Sequence, residues 1–173
     1  MKILLAIFPL MSVLAFSGQA PKAQPIPASV ESFSILGIGI STTRSQVLAV
    51  LGTPKAIERK LEKEVGVGFW EVLKFDGVTI DVEIPATTPN PNRNLEPRVF
   101  RMAVTSGAWA SKSGLRLGLT KDQVISILGS PKSEKSKPGI TTLRFIPSGF
   151  TGFVWVNLRS NIVSEYGIEK APS

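Results

Sequence analysis

Thirteen residues of this chain occur twice, and no other feature of the sequence restricts the fold as much. Thr43-Arg-Ser-Gln-Val-Leu-Ala-Val-Leu-Gly-Thr-Pro-Lys55 aligns without a gap on Thr120-Lys-Asp-Gln-Val-Ile-Ser-Ile-Leu-Gly-Ser-Pro-Lys132, with seven identities. Each shared position has a physical role. Thr43 and Thr120 can cap a helix, Gln46 and Gln123 stand three residues later and complete a capping box, and Leu119 can staple to Val124. Val47, Leu48, Val50 and Leu51, like Val124, Ile125, Ile127 and Leu128, fall on one helical face. Gly52 and Gly129 supply the cap, and Pro54 and Pro131 forbid continuation. Helices so short and one-sided need a sheet to cover.

Strand signals follow each helix. Beyond a charged connection, Arg59 to Glu64, the runs Phe69 to Phe75 and Val78 to Ile84 flank Asp76-Gly77, a preferred two-residue hairpin turn. Pairing across that turn opposes Phe75 to Val78, Leu73 to Ile80, Glu71 to Val82 and Phe69 to Ile84, which makes this the core face. The other face then carries Trp70, Val72, Lys74, Thr79, Asp81 and Glu83, because side chains alternate along a strand. A third strand, Val99 to Thr105, turns Phe100, Met102 and Val104 inward and Arg101 outward. In the second half a turn at Ser148-Gly149 opposes Phe145 to Gly152, Leu143 to Val154 and Thr141 to Val156. The open face there displays Thr142, Arg144, Ile146, Phe153, Trp155 and Asn157. A three-residue loop, Arg159-Ser160-Asn161, returns the chain as Ile162 to Ile168, with Ile162, Ser164, Tyr166 and Ile168 inside and Glu165 across from Trp155. A different turn register would reverse these faces.

The expected fold class is α+β, as two tandem repeats that each pack a short helix on an antiparallel sheet of three to four strands. The boundaries read as a signal peptide at 1–20, a flexible leader at 21–34, a first repeat at 35–106, a linker at 107–113, a second repeat at 114–169 and a tail at 170–173. The first repeat inserts Pro85 to Pro97, four prolines in thirteen residues, where the second uses three residues. Such a loop is functional or a tolerated insertion. Trp109, in the connection between the repeats, reads as a seal at their joint.

Met1-Lys2, the apolar stretch Ile3 to Phe16 and the small residues before Pro21 have the form of a secretory signal peptide cleaved after Ala20. The apolar run is shorter than the roughly 20 residues that span a bilayer. The sequence has no cysteine, so the cleavage point cannot be lipidated, and the expected location is periplasmic or secreted, not that of a lipoprotein. Without Lys2, nineteen basic residues stand against thirteen acidic ones, a formal +6. That surplus favours anionic neighbours, although the basic residues are scattered apart from Lys132, Lys135 and Lys137, and export makes nucleic acid an improbable partner.

Histidine is missing as well as cysteine, which excludes Cys/His zinc sites, Ser-His-Asp and Cys-His nucleophiles, haem ligation and disulfides. No nucleophile elbow, Ser-x-x-Lys dyad, Walker loop or dinucleotide fingerprint occurs. Asp81 and Glu83 share a strand face, as a carboxylate pair would, but pairing with Lys74 and Arg101 across strands accounts for them. The expectation is a chain that is not an enzyme and holds no cofactor or metal.

Gly118-Leu-Thr-Lys-Asp-Gln-Val-Ile-Ser-Ile-Leu-Gly-Ser-Pro131 resembles the helix signature of the superfamily that contains the β-lactamase-inhibitor proteins and the SmpA/OmlA-like small lipoproteins of the outer-membrane barrel-assembly machinery. The first copy fits less closely, with Ser41 where the pattern has glycine. The resemblance spans most of residues 37–169 as two tandem units and implies a binding module. In the tandem inhibitors of that group an aromatic-rich concave sheet surface grips a partner protein, and Trp70, Phe153 and Trp155 have that character. The chain departs from the group by lacking both the lipidation cysteine and cysteine pairs.

The functional expectation is therefore an exported, non-catalytic module that engages an envelope or secreted protein through its open sheet face. The candidate residues are Trp70, Lys74, Arg101, Arg144, Phe153 and Trp155. The alternative is a binder of anionic envelope material, lipid headgroup or wall polymer, through basic surface. If the two sheets packed on each other instead, Trp70 and Trp155 would both be hidden.

Overall fold

Thr43 and Thr120 each accept a hydrogen bond from the backbone of the glutamine three residues on, and each glutamine side chain accepts one in return from the threonine backbone. These closed capping boxes start helices α1 (Arg44–Leu51) and α2 (Lys121–Leu128). Gly52 and Gly129 end them at φ of 75° and 81°, a region that glycine enters without steric cost. The computed structural model describes residues 29–62, 68–84 and 96–171. The signal peptide, most of the expected leader and most of the Pro85–Pro97 loop lie outside them.

Among the described residues eight strands join the two helices: β1 (Ala56–Glu62), β2 (Gly68–Phe75), β3 (Val78–Ile84), β4 (Arg98–Val104), β5 (Ser133–Lys137), β6 (Ile140–Phe145), β7 (Gly152–Arg159) and β8 (Ile162–Lys170). They form one antiparallel sheet in the order β1-β2-β3-β4-β8-β7-β6-β5. This corrects the expected α+β organisation. The chain is mostly β, with two short helices on a single eight-stranded sheet, and is not a pair of tandem helix-on-sheet units. The cause is the pairing of β4 with β8, where Arg101 to Val104 run against Tyr166 to Glu169. An edge strand presents unpaired backbone groups, and joining the inner edges of both halves removes two such edges. For the same reason no two sheets face each other.

The β2–β3 hairpin has the expected register, from Phe75 opposite Val78 to Phe69 opposite Ile84. The β6–β7 register differs. Phe145 opposes Val154, Leu143 opposes Val156 and Thr141 opposes Leu158, because the connection runs from Ile146 to Thr151 and is not a two-residue turn. A displacement of two residues keeps each side chain on its face. At β7–β8 the turn is Ser160-Asn161, with both residues at positive φ, so the loop is shorter than expected. A bulge at Asn157/Leu158 puts Val163 inside and leaves Ile162 exposed. Another irregularity, where β3 pairs with β4, buries Val99 and sends Phe100 to the opposite face from the expected one. The charged connection at Arg59 lies within β1, a strand the sequence reading did not include.

One hydrophobic core covers one face of the sheet. Val47 of α1 and Val124 and Leu128 of α2 pack with Leu73, Ile80, Val82, Met102, Leu143, Val154, Tyr166 and Ile168. Val50, expected on the buried face of α1, is exposed, and Leu51 is only partly covered. Phe33, in a 3-10 turn at Val30–Phe33 within the expected leader, is also buried in this core. Trp109 packs on the core's margin and donates its Nε1 proton to the carbonyl of Asp76 at 2.6 Å, which ties the connection between halves to the first hairpin turn. Glu71 sits under α1 and accepts hydrogen bonds from Arg44 at 2.7 Å and Arg59 at 3.1 Å. Burial pushes its carboxyl up, but the two guanidinium hydrogen bonds outweigh burial and hold its pKa below the ordinary value.

Candidate functional site: the helix-free face of the sheet

With both helices and the core on one side, alternation sends every second side chain to the other face. One row of paired residues crosses all eight strands there: Ala56, Lys74, Thr79, Ala103, Gly167, Trp155, Arg144 and Ser133. Its middle is made of small side chains, so the floor is low where the halves join. A neighbouring row runs Glu58, Val72, Asp81, Arg101, Glu169 and Phe153.

All of the candidate residues lie on this face, but they form separate groups. Trp70 meets Phe100 edge-on, with ring centroids 6.2 Å apart and planes at 85°. Lys74 pairs with Glu58. Arg101 reaches Asp81 at 3.7 Å and Glu169 at 3.6 Å, and so spans the β4–β8 junction. The Arg144 guanidinium stands 4.3 Å from the centre of the Phe153 ring, a cation–π arrangement. Trp70 and Trp155 are four strand spacings apart, roughly 19 Å at about 4.8 Å per strand, so they cannot share one hot spot.

Trp155 departs from the expectation of partial exposure: only 8% of it is accessible. Its indole lies down on Gly167, where a Cβ would come within 2.4 Å of the ring. Glycine thus permits tryptophan to fill the low centre of the face. Beside it, the Thr142 hydroxyl donates to Asn157 Oδ1 at 2.7 Å, and the Asn157 amide donates to Glu165 at 2.9 Å. Glu165 therefore stands across from Asn157 and not across from Trp155, whose partner is Gly167.

Burial raises the pKa of Asp81 on this face, with Arg101 pulling it back. Its residue is 7% exposed. Glu83 is exposed and opposite Trp70 and Arg98, and Lys74, expected to pair across strands with these carboxylates, pairs with Glu58 instead. Among the described residues no group of three acidic side chains could hold a metal ion, and no helix is long and apolar enough to cross a membrane.

Phe100, Glu169 and Gly167 belong to this face, and sequence reasoning did not find them. Phe100 depends on a bulge and the other two on the β4–β8 pairing. Neither leaves a local signal, although a lone glycine in an otherwise regular strand marks a close approach.

No protein-family model and no curated protein matches this chain. Among solved structures, it aligns with an extracellular protein containing an SCP domain from Bacillus anthracis at 11% identity and a TM-score of 0.49, over 88% of this chain and 50% of that one. A cysteine-rich secretory protein from Staphylococcus aureus aligns at 8% identity and a TM-score of 0.42, over 83% and 49%. A candidate β-lactamase inhibitor protein from Streptococcus mutans aligns at 10% identity and a TM-score of 0.27, over 86% and 92%. The chain spans about half the length of the first two. The resemblance of Gly118 to Pro131 to the inhibitor and barrel-assembly superfamily therefore rests on those residues.

Proposed function

We propose that the chain is an exported, non-catalytic binding module that engages an envelope or secreted protein through the helix-free face. One observation carries this reading: Arg144 stacked on Phe153, next to Trp155, on the sheet face opposite the core. Arginine and aromatic residues are the side chains enriched at the energetic centres of protein interfaces. A stacked guanidinium keeps donors free for a partner's carboxylate or carbonyl groups. Trp155 supports the cluster from below.

Charge on the same face favours this reading over capture of anionic lipid or wall polymer. Lys74 and Arg101 are each engaged by carboxylates of the chain itself, so the basic surplus is not concentrated here. The test is capture from the native envelope or culture fraction by the processed chain. Arg144→Glu and Phe153→Ser should each weaken capture of a discrete protein at least tenfold, while the loop variant Lys112→Glu retains it. Retention by the face variants sinks the proposal. A signal that collapses between low and moderate salt and is reproduced by anionic vesicles or wall polymer assigns the function to charge instead.

A further inference from the structure

An open sheet ends in two edges, and among the described residues they are β1 and β5. Edge strands offer unpaired backbone donors and acceptors to another chain unless charge, brevity or cover prevents it. The β5 edge is protected: it has five residues, Ser-Glu-Lys-Ser-Lys, and no apolar side chain. The β1 edge is different. It has seven residues, and on its helix side Ile57 and Leu61 are 48% and 46% exposed. Leu61 lies opposite Phe69, itself 47% exposed, and Phe69 lies opposite Ile84. This leaves an apolar row that stops abruptly at the edge.

The sequence of that edge complements itself. Read in opposite directions about Arg59, Ile57-Glu58-Arg59-Lys60-Leu61 places apolar against apolar and acid against base. We propose that the β1 edge is the site where a second copy of this chain adds, antiparallel, β1 against β1, with a two-fold axis through Arg59 normal to the sheet. Ile57 then lies opposite the partner's Leu61, and Glu58 opposite the partner's Lys60, each pair occurring twice by symmetry. The interface is isologous and therefore closes as a dimer. The helices of both copies stay on one side, and their helix-free faces continue one another.

Neighbouring registers are worse. An axis through Glu58 opposes two glutamates, and one through Lys60 opposes two lysines, whereas like charges directly across strands are destabilising. An axis between residues would pair side chains of opposite faces and is excluded by the pleat. The chosen axis brings the two Arg59 side chains together, but each is already hydrogen-bonded to its own buried Glu71 at 3.1 Å. Glu58, which holds Lys74 on its own chain, gains a second cation. The row Leu61, Phe69 and Ile84 gains the partner's Ile57.

Sedimentation of the processed chain over a wide concentration range tests this. The expected result is a monomer–dimer equilibrium, weakened at least tenfold by either Glu58→Lys or Lys60→Glu, with circular dichroism unchanged. Mixing the two variants should restore dimer to the wild-type level, because both pairs between positions 58 and 60 are then again of opposite sign. A wild-type chain that stays monomeric overturns the proposal, as do single variants that self-associate like wild type or a mixture that does not recover. Growth beyond the dimer with concentration would mean head-to-tail pairing of β1 with β5, and also overturns it.

Discussion

Replacing Gly167 with alanine adds one methyl group at the seam of the sheet. The Cβ would lie 2.4 Å from the Met102 carbonyl oxygen on β4 and 2.4 and 2.7 Å from two atoms of the Trp155 ring. Ordinary contacts to carbon are about 3.5 Å or more, so both neighbours must yield by roughly an ångström. The indole can tilt outward, but the carbonyl belongs to the strand that joins the two halves, where Ala103 and Gly167 are paired. Overpacking of this kind costs about 1–3 kcal/mol, and a backbone obstacle places Gly167→Ala at the upper end. For a chain of this size each kcal/mol lowers the midpoint by about 2–4 °C, so the expected fall is about 6–12 °C. Thermal unfolding followed by circular dichroism measures it, and tryptophan fluorescence should report an indole moved toward water. The double variant Gly167→Ala with Trp155→Ala should be less destabilised than the sum of the two, since removing the ring removes one of the two clashes. An unchanged midpoint for Gly167→Ala would refute the β4–β8 pairing, and additive losses would refute the seat of the indole on Gly167.

Trp155→Ala alone should cost about 3–5 kcal/mol in denaturant titration, the range for buried aromatic truncations, in contrast to an exposed anchor, which would leave stability nearly unchanged. Leu128→Ala should cost about 2–5 kcal/mol, and the partly covered Leu51 distinctly less on the same substitution. Glu71→Gln should lose about 1.5 kcal/mol at neutral pH, the low end for bonds to a charged group because Arg59 is largely exposed. Since the folded pKa of Glu71 is lowered, its contribution is present above the ordinary carboxylate pKa and disappears as pH falls through the folded value. The gap between wild type and Glu71→Gln in urea midpoint should therefore close in acid, and a constant gap from neutral to acid pH would show that charge is not the cause.

What the sequence disclosed of the fold was local, and what it withheld was pairing at a distance. A capping box needs two residues three apart, and both helices start where Thr43 and Thr120 place them. A two-residue Asp-Gly turn fixes its own register, and β2 and β3 pair accordingly. Ser148-Gly149 is an equally plain turn signal, yet here it lies within a longer connection, so the β6–β7 register moved by two residues while the faces survived. Nothing local couples β4 to β8. Each is an apolar, alternating strand equally fit to be an edge, and only closure of the inner edges decides against two separate sheets. β1 was missed for a related reason: Arg59 to Glu64 read as a charged connection, but Arg59 and the preceding Glu58 find their partners Glu71 and Lys74 on the neighbouring strand.

The site was legible to the same depth. Alternation alone put Trp70, Lys74 and Arg101 on the open face of one half and Arg144, Phe153 and Trp155 on that of the other, and it could not say which of them water reaches. That depends on the heights of residues across the sheet, and the decisive heights are those of Thr79, Ala103 and Gly167, contributed by three strands from both halves. Small residues there turn the junction into a trough, the trough admits the Trp155 ring over Gly167, and Arg144, stacked on Phe153, stands opposite Trp155 on the next strand. The seam that unites the sheet is thereby also what shapes the face. A substitution at Gly167 acts on both, whereas one at Arg144 touches the face and leaves the sheet intact.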